Sequence, residues 1–345
     1  MKSLYFLQFL LLSGMCSIPR PPTHELPRGF VPPSDSVLRI AFYNLENLFD
    51  TVDDPNTQDE GFTPLGSHRW NEKRLQRKLL EHAQTLRAIG SWNGLGLIGF
   101  AEVEHEELLQ RLSVQLPLKS FGYQTLHFES DDPRGIDVGA LWNPKQLDLD
   151  TTACFDVPLS LGDRPLRSFL WARFFLNSSA FHVIIVHWPS RYGGQMNTEP
   201  KRIRAAHRAN EVHDWIKLTY GDEPIILMGD LNDGPNNSSI QDGLGLRSDS
   251  SRWEIHFPAP NAFSGTHVHA GRWNLLDQCY LSLNPNTSER QLRFDSLRIF
   301  SAAWLLEESE QGQIIPFRTY RGPSYHGGVS DHLPIYFDLI QSNQD

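Results

Sequence analysis

The chain has 345 residues, 39% hydrophobic, 11% aromatic and 21% charged. This composition excludes a disordered acidic chain, a collagen-like repeat and a multi-span membrane protein. Lys and Arg number 31 against 41 Asp and Glu, for a formal charge of -10, so the chain is not built to coat DNA irrespective of sequence, which needs many phosphate–cation contacts. An enzyme that meets one phosphate at a metal site remains compatible with that balance.

The first segment, MKSLYFLQFLLLSGMC, places Lys2 ahead of an apolar run over 4–12. That run is too short to span a bilayer and fits the apolar region of a secretory signal, predicted over 1–16. Cys16 leaves two alternatives open. It is a lipid-attachment site that would tether the protein to a membrane, or the leader is simply cleaved; Met15 sits where lipid attachment favours a small residue. Pro19, Pro21, Pro22, Pro27, Pro32 and Pro33 block helix and sheet pairing and predict an extended tether over 17–35. The expected destination is therefore the periplasm, the cell surface or the medium. Only Cys16, Cys154 and Cys279 are present. Export permits a Cys154–Cys279 disulfide without requiring it, and Cys279, inside the apolar run LLDQCYL, reads as a buried free thiol.

No linker interrupts 36–341, which reads as one domain. Strands are predicted at 38–43, 96–101, 136–142, 170–175, 181–187, 224–228, 274–281 and 333–340. A helix is predicted over 71–90, with Leu75, Leu79, Leu86 and Ile89 on the inward stripe and Lys73, Arg74, Arg77, Lys78 and Glu81 outside it. Glu104, Glu106 and Glu107 mark the start of another. A third runs over 198–218, capped by Thr198, with Glu199 and Pro200 in its first turn and Ala205, Ala209, Val212 and Ile216 facing inward. Its outer cations, Lys201, Arg204 and Arg208, read as a solvated face or, alternatively, as a phosphate-backbone contact. Strands alternating with helices indicate an α/β architecture, whose sites gather at one end of the sheet.

Five segments place acids, amides or imidazoles just past an apolar strand. In RIAFYNLENLFD, Asn44 and Glu46 are two apart and would share a face. They can orient a phosphate and a metal water, or be a turn residue and a solvated acid. In LIGFAEVE, Glu102 ends a strand too apolar to hold a carboxylate without a partner; a hard divalent cation is one such partner, or the side chain simply reaches solvent; Glu104 reads as the start of the next helix. In FHVIIVHWPSR, His187 ends a strand and is a site imidazole or, as a lone histidine there more often is, a satisfied structural residue; Arg191 offers a fork-shaped phosphate donor, and Trp188 and Pro189 wall a pocket or simply pack. In PIILMGDLND, Asp230 can orient or deprotonate a water and Asn232 can donate to a phosphoryl oxygen, while Asp233 reads as a turn or cap residue. In GGVSDHLPIYF, Asp331 and His332 serve one site only if the chain turns there, and Asp277, in RWNLLDQCY, is the natural carboxylate to orient a histidine ring. No serine elbow and no P-loop are present.

The order N-x-E, strand-Glu, strand-His, G-D-x-N-D, S-D-H resembles the endonuclease/exonuclease/phosphatase superfamily over about 38–339. ENLFD, RGIDVGALW, HWPSRYGG and YHGGVSDHLP look like an exported bacterial subgroup. The resemblance implies a DNase I-like four-layer sandwich, two packed mixed β-sheets flanked by helices, and a Mg²⁺ ion, with Mn²⁺ or Ca²⁺ as substitutes. It implies Glu102 as principal metal ligand supported by Glu46 and Asp331, and Asp230 on the attacking water. It further implies Asn44 and Asn232 on the phosphate, and His187 and the His332–Asp277 pair on the developing oxyanion. The expected substrate is a phosphodiester, in DNA or RNA first. A phospholipid, sugar-phosphate or phosphomonoester is the alternative, and a non-catalytic surface module is a further one; no protein partner is evident. Two departures stand out. Ile185 occupies a position where relatives often carry Asn, and basic DNA-gripping loops are not evident.

Overall fold

The computed structural model describes residues 26–27, 30, 37–158, 165–247, 252–259, 263–283 and 292–341. The expected leader, Cys16 and nearly all of the tether lie outside the described residues. No helix among the described residues is long and apolar enough to cross a membrane.

The strands, in chain order, are β1 (Val37–Leu48), β2 (Leu97–Val103), β3 (Gln124–His127), β4 (Asp137–Trp142), β5 (Asp148–Phe155), β6 (Phe169–Leu176), β7 (Ser179–His187), β8 (Ile225–Asp230), β9 (Glu254–Ile255), β10 (His267–His269), β11 (Arg272–Asn274), β12 (Asp277–Ser282), β13 (Leu292–Phe294), β14 (Arg298–Ile299), β15 (Leu306–Glu308), β16 (Ile314–Pro316), β17 (Tyr320–Arg321), β18 (Ser324–Tyr325) and β19 (Ile335–Gln341). The main helices are α1 (Glu72–Gly90), α2 (Glu106–Ser113) and α3 (Gln195–Tyr220). One sheet runs β13–β19–β1–β2–β4–β3, with β14 also on β19, and the other runs β5–β6–β7–β8–β12–β9. Each is mixed: β1–β2 and β7–β8 are parallel, and the other pairs within them are antiparallel.

The sheets face each other and α1 and α2 cover the first, while α3 covers the second. This is the expected four-layer sandwich. The sheets approach so closely at Gly99 that a Cβ there would lie 2.8 Å from Met228 Cε and 3.1 Å from Ile185 Cδ1. Ile185 therefore fills the space between the sheets, where apolar burial is favourable. Arg39 lies opposite Asp338 in the β1–β19 register and binds it through two hydrogen bonds of 2.7 and 2.8 Å. Its remaining donor reaches the Ile89 carbonyl at 3.1 Å, which ties the end of α1 to the sheet.

Several boundaries differ from the sequence reading. Helix α3 begins at Gln195, and Thr198 lies inside it, its hydroxyl donating to the Gly194 carbonyl at 3.0 Å instead of capping. Gly194, at φ 105°, takes the cap position, and the helix forgoes one hydrogen bond at Pro200. The single strand expected over 274–281 is two strands. Asn274 pairs with His267 in the β10–β11 hairpin, and the chain entering that hairpin lies so close that a Cβ on Gly265 would lie 2.4 Å from the Asn274 carbonyl oxygen. Lys78 faces inward and is 2% exposed. Glu104 precedes α2 and is buried, accepting from the Asp50 amide at 2.6 Å. Cys154 and Cys279 are free thiols, the first exposed and the second buried.

Candidate active site

Strand direction assembles the site. β1 and β2 run parallel, as do β7 and β8, so Asn44, Glu102, His187 and Asp230 sit at their C-terminal ends. The antiparallel partners β12 and β19 bring Asp277 and the 331–332 turn to the same edge from their N-terminal ends. His187 and Asp277 are direct register partners of Asp230 on its two sides. The two sheets are joined at this edge by Asn44, whose amide donates to Asp230 Oδ2 at 3.1 Å.

The backbone is bent where the chemistry sits. Glu46 (φ 49°), Asn47 (φ 54°), Glu102 (φ 64°) and Asn232 (φ 51°) are all left-handed. Each such non-glycine residue costs on the order of 1 kcal/mol and persists only where its surroundings hold it. The β1–β2 register slips between Asn44 and Leu48, and the β2–β4 register slips between Ala101 and Val103. Asn44 and Glu46 therefore do not share a face. Asn44 reaches Asp230, whereas Glu46 turns to accept from the Thr319 amide at 2.7 Å. Asn232 lies in the turn beyond β8; its amide N–H donates to Asp230 Oδ1 at 2.9 Å and its side chain to the Trp188 carbonyl at 3.0 Å.

Asp230 is at the centre. Its Oδ2 is 3.5 Å from His187 Nε2 and 3.8 Å from His332 Nε2. Burial, with Asp277 and Glu102 adding to it, pushes the Asp230 carboxyl up to about 6. His187 Nε2 lies 3.8 Å from Glu102 Oε1, and Glu102 Oε2 accepts from the Asn47 amide at 2.8 Å. Burial, reinforced by Arg167 and Arg134, drives the His187 imidazole well below its ordinary value, so the ring is neutral. His332 behaves oppositely. Burial opposes its charge, but Asp277, 2.6 Å from Nδ1, and Asp230 outweigh burial and hold it well above the ordinary histidine range. Asp331 and His332 both face the site because the chain turns: Ser330 Oγ accepts from the His332 amide at 3.1 Å and donates to the Asn44 carbonyl at 2.7 Å.

Glu46 and Asp331 form a second part of the hollow. Burial and Asp331 raise the Glu46 carboxyl to about 7. Arg318 bridges the two acids, with Nη2 2.8 Å from Asp331 Oδ2 and Nε 3.4 Å from Glu46 Oε1. Below them Lys78 donates to the Val329 carbonyl at 2.9 Å and to the Thr319 hydroxyl. His267 pairs with His332 through an isolated bridge, their ring centroids 4.8 Å apart, and its Nε2 is 3.9 Å from Asp331.

Arg191 is not poised as an open phosphate fork. Its Nε donates to the Asn232 carbonyl at 2.7 Å and to Asp233 at 3.1 Å, and one terminal nitrogen donates to Asn237 at 3.1 Å. Asp233 is a buried anchor, held also by Arg202 and Ser239 at 2.6 Å each. Trp188 is fully buried against the α3 side of the sheet.

The residues present suit a divalent cation. Carboxylates outnumber cations in this hollow, and two of them are pushed up by burial. Asp277 Oδ1 and His187 Nδ1 are buried without a hydrogen-bond partner. Carboxylate oxygens of Asp230 and Asp277 lie within 4.8 Å of each other; His332, held protonated, borders them as a charge and not as a ligand. Carboxylate oxygens are the donors that a hard divalent cation takes. Glu102, Glu46 and Asp331, the ligands implied by resemblance, line the same hollow, though Arg318 stands between the last two.

Two packed mixed sheets with outer helices, and acids, amides and imidazoles gathered at one edge, define a DNase I-like fold. A model of the Endonuclease/Exonuclease/phosphatase family matches residues 39–341, and the chain belongs to that family. A search of curated proteins finds no match. Solved structures share the fold at low identity. An endonuclease/exonuclease/phosphatase from Bacteroides vulgatus is 15% identical with a TM-score of 0.56, over 89% of this chain and 99% of that one. A mannosyl-6-phosphatase from Bacteroides thetaiotaomicron is 14% identical with a TM-score of 0.54, over 88% and 99%. D. rerio TDP2, complexed with a single-strand DNA product, is 13% identical with a TM-score of 0.51, over 88% and 99%.

Proposed function

We propose that this protein is a divalent-metal-dependent phosphoester hydrolase whose first substrate is the phosphodiester of DNA or RNA. The carrying observation is the convergence of Asn44, His187, Asp277 and His332 on Asp230. Asp230, with its carboxyl near 6, is ionised at neutral pH and basic enough to take a proton from an attacking water. His332, held protonated by Asp277, supplies a fixed positive charge where the pentavalent oxyanion develops. Neutral His187 donates from the opposite side of Asp230. Asn44 holds Asp230 in register and, with Asn232, offers amide hydrogens to a phosphoryl oxygen. A bound Mg²⁺ or Mn²⁺, held by Glu102 with its neighbouring carboxylates, would neutralise a non-bridging oxygen and the leaving group. Donors aimed at a developing oxyanion are worth roughly 3–4 kcal/mol each in favourable cases.

The test is turnover of plasmid DNA, RNA, sphingomyelin and a phosphomonoester with and without Mn²⁺. Metal-dependent cleavage of nucleic acid supports the reading. A phosphomonoester is the second reading, favoured by the Arg318 charge in the hollow and by the fold shared with a mannosyl-6-phosphatase; exclusive turnover of the monoester would replace the first. No metal binding and no turnover would leave a non-catalytic module. Export of the protein, with 17–35 as a tether, belongs to the same reading and is tested by cell fractionation.

A further inference from the structure

Arg318 reaches the site from the short connection between β16 and β17, and its backbone is clamped. The following amides, Thr319 and Tyr320, donate to Glu46 at 2.7 and 3.4 Å. Gly328 packs so tightly on this connection that a Cβ would lie 2.1 Å from the Phe317 carbonyl oxygen and 2.5 Å from that of Arg318. The side chain is held differently. It is 39% exposed, with one close contact, Nη2 to Asp331 at 2.8 Å, and a longer one, Nε to Glu46 at 3.4 Å. Lys78, also beside these acids, is 2% exposed and fixed by the Val329 carbonyl and the Thr319 hydroxyl, and the protonated His332 next to Asp331 is 6% exposed and fixed by Asp277. Of these three cations the arginine is the one that can leave.

We propose that Arg318 is an exchangeable counter-cation. It neutralises Asp331 and Glu46 in the metal-free protein and turns its guanidinium to the phosphoryl oxygens of the substrate once a divalent cation takes charge of those acids. This rests on the hollow being a metal-dependent phosphoester site. A guanidinium and a dication on the same carboxylates repel each other, so metal entry weakens the arginine's hold. The released fork matches two phosphate oxygens at once, which an ammonium does not. Metal and phosphate then bind with positive coupling, and linkage makes that coupling reciprocal.

The experiment is calorimetric titration of the full chain at pH 8 with MnCl₂, then of the Mn²⁺-loaded protein with inorganic phosphate, for wild type, R318M and R318K. Losing a half-exposed ion pair that competes with the metal is expected to tighten Mn²⁺ binding in R318M by roughly three- to fivefold. Losing charge-assisted bonds is expected to weaken phosphate binding by about tenfold or more. R318K is expected to keep the wild-type metal affinity and still bind phosphate weakly, which separates charge from the fork and guards against an unfolded R318M. Unchanged or weaker Mn²⁺ binding in R318M, or wild-type phosphate affinity in both variants, would make Arg318 a fixed structural partner and overturn the proposal. Wild type that binds no Mn²⁺ would overturn the proposal together with the functional reading; wild type that binds Mn²⁺ alongside an indifferent R318M overturns the arginine's role alone.

Discussion

Replacing Asp230 by Asn is expected to make the metal-free protein more stable while removing its activity. Asp230 is 1% exposed, and burial displaces its carboxyl from 3.8 to about 6. A displacement of about two pH units corresponds to roughly 3 kcal/mol held against the ionised form. The sign follows from proton binding. The folded state holds this proton up to about pH 6, whereas the unfolded chain releases it near 3.8. The group's contribution to stability is complete below pH 3.8 and is lost as pH rises through 6. The carboxamide in D230N never ionises, and its oxygen can still accept from the Asn232 amide. Asn44 must turn its own amide to face it, so a net gain of roughly 1–3 kcal/mol is expected at pH 8. That is a rise of about 2–6 °C in Tm in the presence of chelator. By pH 4.5 the gain should shrink to roughly a third. Differential scanning calorimetry of wild type and D230N at both pH values reads this directly. A variant that melts at or below wild type at pH 8, or gains equally at both pH values, would refute the argument that Asp230 is a buried, destabilising carboxylate. Turnover should fall by about 10²–10⁴-fold with the loss of the base.

Four further outcomes follow from the same geometry. His332→Ala should lower turnover by a similar factor with an unchanged far-UV spectrum; undiminished cleavage would remove His332 from the mechanism. Arg167 is buried, pairs with Asp132 at 2.7 Å and donates to the carbonyls of His187 at 3.1 Å and Trp188 at 2.9 Å. Arg167→Met should therefore destabilise by about 3–5 kcal/mol in urea unfolding, because it strands the Asp132 carboxylate. At subsaturating Mn²⁺, kcat/KM should climb with pH through about 6 to 7, where the Asp230 and Glu46 carboxyls of the metal-free protein ionise, and saturating Mn²⁺ should move that rise to lower pH; paired pH–rate profiles at low and saturating Mn²⁺ check both. Mn²⁺ should raise Tm more at pH 8 than at pH 5, since protons compete for the same acids; an equal rise at both would place the metal elsewhere.

The residues at strand ends were legible because each closes a short apolar run, and a charge at the end of a buried strand has few uses. The order of those ends along the chain was enough to identify the scaffold. Local geometry was not legible. An N-x-E or D-x-N spacing implies a shared face only in extended chain, and the left-handed backbone at Glu46, Glu102 and Asn232 breaks that rule at the positions that matter. Residues reaching the hollow from elsewhere left weaker signs. Lys78 sits on the inward stripe between Leu75 and Leu79 and His82, and a lysine at such a position is itself a signal. Arg167 lies just past a segment without periodicity, and Arg318 and His267 lie in short hairpin regions, so no pattern marks them. Glu104 looked like a helix start because acids favour first turns; its burial depends on the Asp50 amide, which sequence spacing does not show.

The most direct test of the central claim is the anomalous difference map of a crystal soaked in Mn²⁺. The account expects a peak in the hollow bounded by Glu102, Asp230 and His332. A peak confined to the neighbouring Asp50–Glu104–His105 group, with that hollow empty, would contradict it.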